Sequence, residues 1–326
     1  MSGPNVFYDR LAESLTDIPD PVHGGSGYFS EPSAELDPNL FDGTHLKPSI
    51  RDWILGTLRE FFLATPGFDQ WAEVWLAGSG ITYQWAADRG NGDLDVLIGV
   101  NYAQFTYHND GYAGLTAEET ARYVNESLRN GLWPKTAHSQ IGSRTYEVTF
   151  YWNPARGVKD ITSIHPYAAY SLTHDEWTVT PPHLPSDVRS LYPTSYYEAA
   201  TEDEHQAKQL LDSYRFHATS LSTLAKGSPA WMNHATELRN VIAKATSLFD
   251  AIHLGRRAAF SPQGSGYSDF NNFRWQAAKE NGTVHTLRQL KEIGSTAQQS
   301  TETDLYGQAI DDAQTALIKA ALWSQK

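Results

Sequence analysis

Apolar residues recur at spacings of three and four between Ile50 and Phe62 (Ile50, Trp53, Ile54, Leu58, Phe61, Phe62). That spacing predicts a helix over 48–64 with one apolar face, opened by Pro48 and ended by Pro66-Gly67. The pattern then tightens. EVWLA (73–77) reads as a buried strand that runs into Gly78-Ser79-Gly80, with a short helix expected over 81–87. After the turn DRGNG, DLDVLIGV (93–100) alternates acidic and apolar residues and then becomes wholly apolar, as a central strand does. Thr116 and Glu119 form a capping box for a helix over 117–130, with Gly131 as its stop. Tyr146, Val148, Phe150 and Trp152 alternate along a strand. NPARG is read as its turn, a return strand is expected from about Val158, and Trp177–Val179 is read as a further strand before Pro181-Pro182.

The texture changes near residue 200, where 3.6-residue periodicity takes over. Thr201 and Glu204 suggest a capping box for a helix reaching toward Gly227. Ser228-Pro229 opens a long helix to about Gly255, with Leu238, Val241, Ile242, Ala245, Leu248, Phe249 and Ile252 on its core face. A short helix containing Phe270, Phe273 and Trp275 follows, then helices near 284–293 and 303–323. The expected organisation is an irregular segment at 1–45, with a short helix at Tyr8–Leu15, then a small α/β domain at 46–185 and an all-helical domain at 195–326. Pro181–Pro193 is the candidate linker. A length of 326 residues suits two domains.

Composition narrows the class. Apolar residues make up 40% of the chain, enough for substantial cores. Cysteine is absent, which excludes disulfides and thiolate metal sites. The apolar runs fall short of the roughly 20 residues that span a bilayer, and the first residues lack a signal-peptide pattern. No membrane partner and a cytoplasmic location are therefore expected. The net charge of −13 gives no global attraction for polyanions, so long nucleic acid is not the favoured partner. It points to a small substrate, or to a negative site neutralised by metal ions.

The chemistry concentrates in residues 76–100. A strand delivers Gly78-Ser79-Gly80 to an expected helix start, where glycine permits close backbone approach, N–H groups favour an anion and Ser79 adds a hydroxyl donor. Asp93 and Asp95, two apart on a strand, share one face. Two neighbouring carboxylates repel unless neutralised, which Mg²⁺ does while bridging to substrate phosphates. A phosphate-binding corner beside paired carboxylates is what phosphoryl transfer requires.

Gly-Ser followed by Asp-x-Asp between apolar residues resembles the DNA polymerase beta-like nucleotidyltransferase superfamily, over roughly residues 70–165. The resemblance implies an α/β (α+β) nucleotidyltransferase domain with a mixed sheet. It implies transfer of an NMP from an NTP to an acceptor hydroxyl, with release of pyrophosphate. Gly78, Ser79 and Gly80 would hold the triphosphate, and Asp93 and Asp95 would bind Mg²⁺ (or Mn²⁺). The family carries a third metal-binding carboxylate on an adjacent strand. Asp160, in VKDITSIHP upstream of Pro166, is the favoured candidate and would also assist deprotonation of the hydroxyl. Glu147, in TYEVTFYW, is the second choice. The helical domain would help hold the base and the acceptor. The acceptor stays open among a small molecule, a second nucleotide, an RNA end and a protein side chain. The alternatives are a catalytically inactive nucleotide-binding, sensor or interaction module, and an assembly protein.

Other features have plainer readings. Tyr267, Phe273 and Trp275 are able to stack a base, with Arg274 or Lys279 on phosphate, but packing into the helical core is the favoured reading. Arg256-Arg257 reads as a solvated pair complementing a helix C-terminus, with phosphate within reach of either. His174-Asp175 reads as a turn or surface pair. No Walker loop, zinc motif or nucleophile elbow is present.

Overall fold

A computed structural model describes residues 27–85, 92–153 and 161–306, with side chains to Ala297. The described residues divide into two compact units, one over Gly27–Arg189 and the other over 190–306.

The first unit is α/β. A two-residue hairpin, β1 (Phe41–Asp42) and β2 (His45–Leu46), precedes helix α1 (Pro48–Phe61) and the single turn α2 (Phe68–Trp71). Strand β3 (Ala72–Ala77) and strand β4 (Gly92–Val100) follow, then α3 (Tyr102–His108), α4 (Ala117–Gly131) and the short α5 (Trp133–Thr136). The capping box of α4 forms in full. Glu119 N–H donates to Thr116 Oγ1 at 3.2 Å, and Thr116 N–H donates to Glu119 Oε2 at 3.0 Å. Strands β5 (Ser139–Ile141), β6 (Arg144–Trp152), β7 (Ala169–Ser171) and β8 (Glu176–Val179) complete the unit.

The sheet is mixed and six-stranded, in the order β5-β6-β4-β3-β7-β8. Among the described strands only β4 and β6 run parallel, and α3, α4 and α5 lie in the long connection that parallel neighbours require. Alternation then sorts the side chains. Val74 and Leu76 of β3, Leu94, Val96, Ile98 and Val100 of β4, and Tyr146, Val148, Phe150 and Trp152 of β6 are buried in one core with Ile54 and Leu58 of α1 and Val124 and Leu128 of α4. Trp71, Phe105 and Trp152 meet there at ring separations of 5.0–5.3 Å. Beyond β5 the outer edge of β6 is closed by side chains. Thr136 Oγ1 donates to the Val148 carbonyl at 2.8 Å, and Asn125 exchanges two hydrogen bonds with the backbone of Trp152.

Three local expectations are corrected here. The two neighbours of β6 are β4 and the short antiparallel β5 before it, joined through Gly142 at φ +60°, while most of the NPARG turn and the expected start of a return strand lie outside the described residues. Ile161–Ile164, expected within the return strand, forms a 3₁₀ turn, because Ile161 is buried against Trp75 and Ala169. Residues 27–46 are not simply irregular. Tyr28, Phe29, Leu36, Leu40, Phe41 and Leu46 are all buried, so the unit extends before residue 46. The helix expected at Tyr8–Leu15 lies outside the described residues.

The second unit is helical, built from α6 (Thr194–Thr223), α7 (Pro229–Ala259), α8 (Phe270–Glu280) and α9 (Thr283–Tyr306). Ser228 caps α7, accepting from Trp231 N–H at 3.2 Å, and the expected core face of α7 is buried apart from the half-buried Leu248. Helix α6 starts at Thr194 rather than at the Thr201–Glu204 motif. Thr201 sits inside the helix with its hydroxyl on the Tyr197 carbonyl at 2.9 Å, while Tyr196 and Tyr197 pack on Phe273. The two helices expected at 284–293 and 303–323 are one continuous helix over the described part, with Leu287, Leu290 and Ala297 buried along it. Among the described residues, no helix is long and apolar enough to cross a membrane.

Candidate active site

The candidate site lies on the sheet face opposite the main core. Strand alternation places Asp93 and Asp95 of β4 there, Asp93 exposed and Asp95 half-buried, between the buried Gly92, Leu94 and Val96. In the parallel ladder Asp93 is in register with Glu147 of β6, and Asp95 with Thr149. Registered residues on neighbouring strands share a face about 4.8 Å apart. The sheet therefore brings Asp93, Asp95 and Glu147 onto one surface with Thr149 and the exposed Tyr151. The other half of this face, toward β7 and β8, is closed by a small apolar cluster of Trp75, Ile161 and Ala169 with Leu97, Ile164 and Val179.

Glu147 has a fixed partner. The indole N–H of Trp133 donates to Glu147 Oε1 at 2.9 Å. Trp133 opens α5 and is 40% exposed. Sequence reasoning passed over Trp133, Thr149 and Tyr151. The last two were legible, since they continue the alternation that marks Glu147. Trp133 was not, because its contact with Glu147 depends on how α5 packs against β6. Asp160, the favoured third carboxylate, lies outside the described residues.

Strand β3 ends at Ala77, in register with Asp95, so the chain leaves the strand beside that carboxylate. Gly78 adopts φ +92°, ψ −173°, a region that favours glycine, and a β-carbon there would lie 2.7 Å from Asp95 Oδ2. A β-carbon on Gly80 would lie 2.1 Å from the carbonyl oxygen of Asp93. Both glycines are thus needed for the Gly78-Ser79-Gly80 loop to lie flat against β4.

The helix expected at 81–87 is not formed over the described residues to Trp85. Ser79–Ile81 makes one 3₁₀ turn, and Thr82 is already extended. Ile81 is fully buried in the main core, and the Gln84 amide donates to the Tyr28 carbonyl. The Thr82 N–H and hydroxyl both use the Ser79 carbonyl, at 3.1 and 2.9 Å. These tertiary anchors outweigh helix propagation. A single turn supplies no macrodipole, so the loop's fitness for an anion rests on its glycine backbone and on Ser79.

The aromatic segment at 264–280 has gone to structure. Phe273 and Trp275 are buried, and Arg274 forms a two-bond pair with Asp203 at 2.6 and 2.7 Å. His174 Nε2 lies 2.8 Å from Glu73 Oε1, and Asp175 occupies a turn at φ +60°, accepting from the Tyr170 hydroxyl.

The donor chemistry of the face suits a hard divalent cation, which prefers carboxylate oxygen. Mg²⁺ in particular binds through one or two carboxylates plus substrate phosphates rather than through a complete protein cage. Among the described residues no group of three His, Asp or Glu side chains converges to hold a metal; Asp93 and Asp95 offer two carboxylates on one strand face. No protein-family model, curated protein or solved structure matches this chain.

Proposed function

We propose that the protein is a metal-dependent nucleotidyltransferase that moves an NMP from an NTP to an acceptor hydroxyl. One observation carries this reading: the two-glycine loop after β3 is pressed against Asp95, on the face that Asp95 shares with Asp93 and Glu147. A backbone suited to phosphate and a carboxylate pair suited to a divalent cation thus lie side by side.

In this reading Asp93 and Asp95 hold Mg²⁺ or Mn²⁺, which when bound would neutralise charge building on the phosphates. Gly78, Ser79 and Gly80 seat the triphosphate. The acceptor oxygen bonds to the α-phosphorus, the bond from that phosphorus to the bridging oxygen breaks, and pyrophosphate leaves with the electron pair. The hydroxyl proton passes to a carboxylate on the same face. Glu147, oriented by Trp133, is the group within the described residues for that task, and Asp160 is the other candidate. The charge of −13 favours a small or short acceptor over long nucleic acid.

The test is pyrophosphate release from each of the four NTPs with Mg²⁺ or Mn²⁺, using a cell extract as acceptor source. The parent is compared with the Asp93→Ala/Asp95→Ala double variant. Release that disappears in a folded double variant supports transfer, and equal release from both proteins sinks it. The alternative is a nucleotide-binding module on the same face that transfers nothing. That reading expects an NTP-dependent thermal shift with no pyrophosphate. Absence of any shift would leave the assembly role.

A further inference from the structure

The last turn of α7 assembles a cationic cluster in a chain that is strongly acidic overall. His253 stands at its centre. Its ring lies 5.7 Å from Phe249 of the same helix and 5.5 Å from the buried Trp275 of α8. Arg256 and Arg257 follow one turn later, and Arg256 lays its guanidinium over the Trp275 ring at 5.2 Å. Lys291 of α9 approaches the Phe249 ring at 5.0 Å, and Arg288 approaches it at 6.0 Å. The carboxylate of Asp250 takes Lys291 Nζ at 2.6 Å. Four cations thus meet one carboxylate, and among the described residues neither Arg256 nor Arg257 forms an ion pair.

Complementing the α7 dipole explains cations here but not the state of their neighbours. Arg256 Nε and Trp275 Nε1 are both buried donors with no hydrogen-bond partner among the described residues. Buried donors are normally satisfied, and two on side chains in contact with each other within a positive field call for an acceptor that brings negative charge. Burial lowers the pKa of His253, and Arg257, Arg256 and Lys291 lower it further against the opposing pull of Asp250. The imidazole therefore reports the positive potential of the cluster.

We propose that this cluster on α7, α8 and α9 binds the phosphate group of a small phosphorylated molecule. Arg256 and Lys291 supply charge, His253 supplies a ring nitrogen, and the Phe249–Trp275 aromatic wall flanks the ligand. The cluster is built from elements that take no part in the carboxylate face, and neither proposal depends on the other.

The test uses the full chain labelled at histidine and tryptophan for NMR, titrated with inorganic phosphate, pyrophosphate or a nucleoside monophosphate. Sodium chloride at matched ionic strength is the control, because screening alone would also relieve cationic repulsion. His253→Gln and Trp275→Phe assign the two signals. Phosphate should move the Trp275 indole cross-peak saturably and raise the His253 pKa beyond the chloride control, by about half a unit or more. The ranking of the three probes identifies whether a free phosphate or a nucleotide fits. Arg256→Gln, shown folded by its melt, should weaken binding about tenfold, the loss of one charge-assisted contact. The Asp93→Ala/Asp95→Ala variant should bind as the parent does. Signals that follow chloride and every phosphate probe alike overturn the proposal, as does Arg256→Gln binding at parental strength.

Discussion

The α-carbon of Gly78 faces the carboxylate of Asp95 so closely that a β-carbon would lie 2.7 Å from Oδ2. Gly78 also holds φ at +92°. Gly78→Ala therefore meets two penalties at once, a strained backbone and displacement of Asp95. The expected outcome is a loss of about 1–3 kcal/mol in urea denaturation. If the face is the nucleotidyl-transfer site, metal-dependent turnover should fall further than stability accounts for. A variant that unfolds and turns over as the parent does would show that the loop tolerates a side chain and that its closeness to Asp95 has no role.

Glu147 and Trp133 offer a separable pair. Glu147→Gln keeps the size of the side chain and can still accept the Trp133 bond, but removes the charge opposite Asp93. If the face performs the proposed transfer with Glu147 as proton acceptor, activity should drop by about 10²-fold or more. Trp133→Phe keeps a ring and removes the donor. It should lower kcat by a smaller factor and move the pH profile, with its melt little changed because Trp133 is well exposed. Equal activity in parent and Glu147→Gln would transfer the third-carboxylate role to Asp160.

What the sequence disclosed, and what it withheld, follows the range of the interactions. The capping box of α4 is local, needing only Thr116 and Glu119, and it forms as read. The faces of β3, β4 and β6 follow from alternation within each strand, and this put Asp93 and Asp95 on one surface before any pairing was known. The partner of Asp93 was not legible. It depends on β6 lying beside β4 in parallel, a register set by the helices between them. The Gly78–Ile81 turn misled for the same reason, since the burial of Ile81 and the bond from Gln84 to Tyr28 are contacts with distant residues. Thr201 and Glu204 carry a valid local motif that the packing of Tyr196 and Tyr197 on Phe273 overrides.

The Arg274–Asp203 pair ties α8 to α6 inside the helical unit. Its two bonds measure 2.6 and 2.7 Å, Asp203 is 7% exposed at the side chain, and the bond to Asp203 raises the pKa of Arg274. Removing one member strands the other. Asp203→Ala is expected to destabilise by about 3–5 kcal/mol, and the double change to Asp203→Leu/Arg274→Met by clearly less. Chemical denaturation of the three proteins checks this. A double variant no more stable than Asp203→Ala would show that the stranded partner charge is not what the single change costs.

Alkaline pH should find a weakness in the α/β unit. The buried Tyr146 hydroxyl donates to Asp37 Oδ2 at 2.5 Å, and Asp37, itself fully buried, also faces Arg144 at 3.5 Å. Burial, then the bond to Asp37 and its charge, push the Tyr146 pKa well above its ordinary value. Burial likewise carries Tyr102, which accepts from Trp152 Nε1 at 2.7 Å, up to about 12. In the unfolded chain both ionise near pH 10. A folded pKa above the unfolded one gives stability that is complete below pH 10 and is lost as pH rises toward the folded value. Urea midpoints should therefore stay level from pH 7 to 9 as far as these groups decide it, and fall between pH 10 and 12. Tyr146→Phe should lower stability at pH 8 by about 1–3 kcal/mol, because Asp37 loses a donor while staying buried. The same variant should fall less steeply above pH 10, having one proton fewer to lose. A parent whose midpoint is unchanged to pH 12, or a Tyr146→Phe protein that falls in parallel with it, would show that the Tyr146–Asp37 bond does not hold the proton in the folded state.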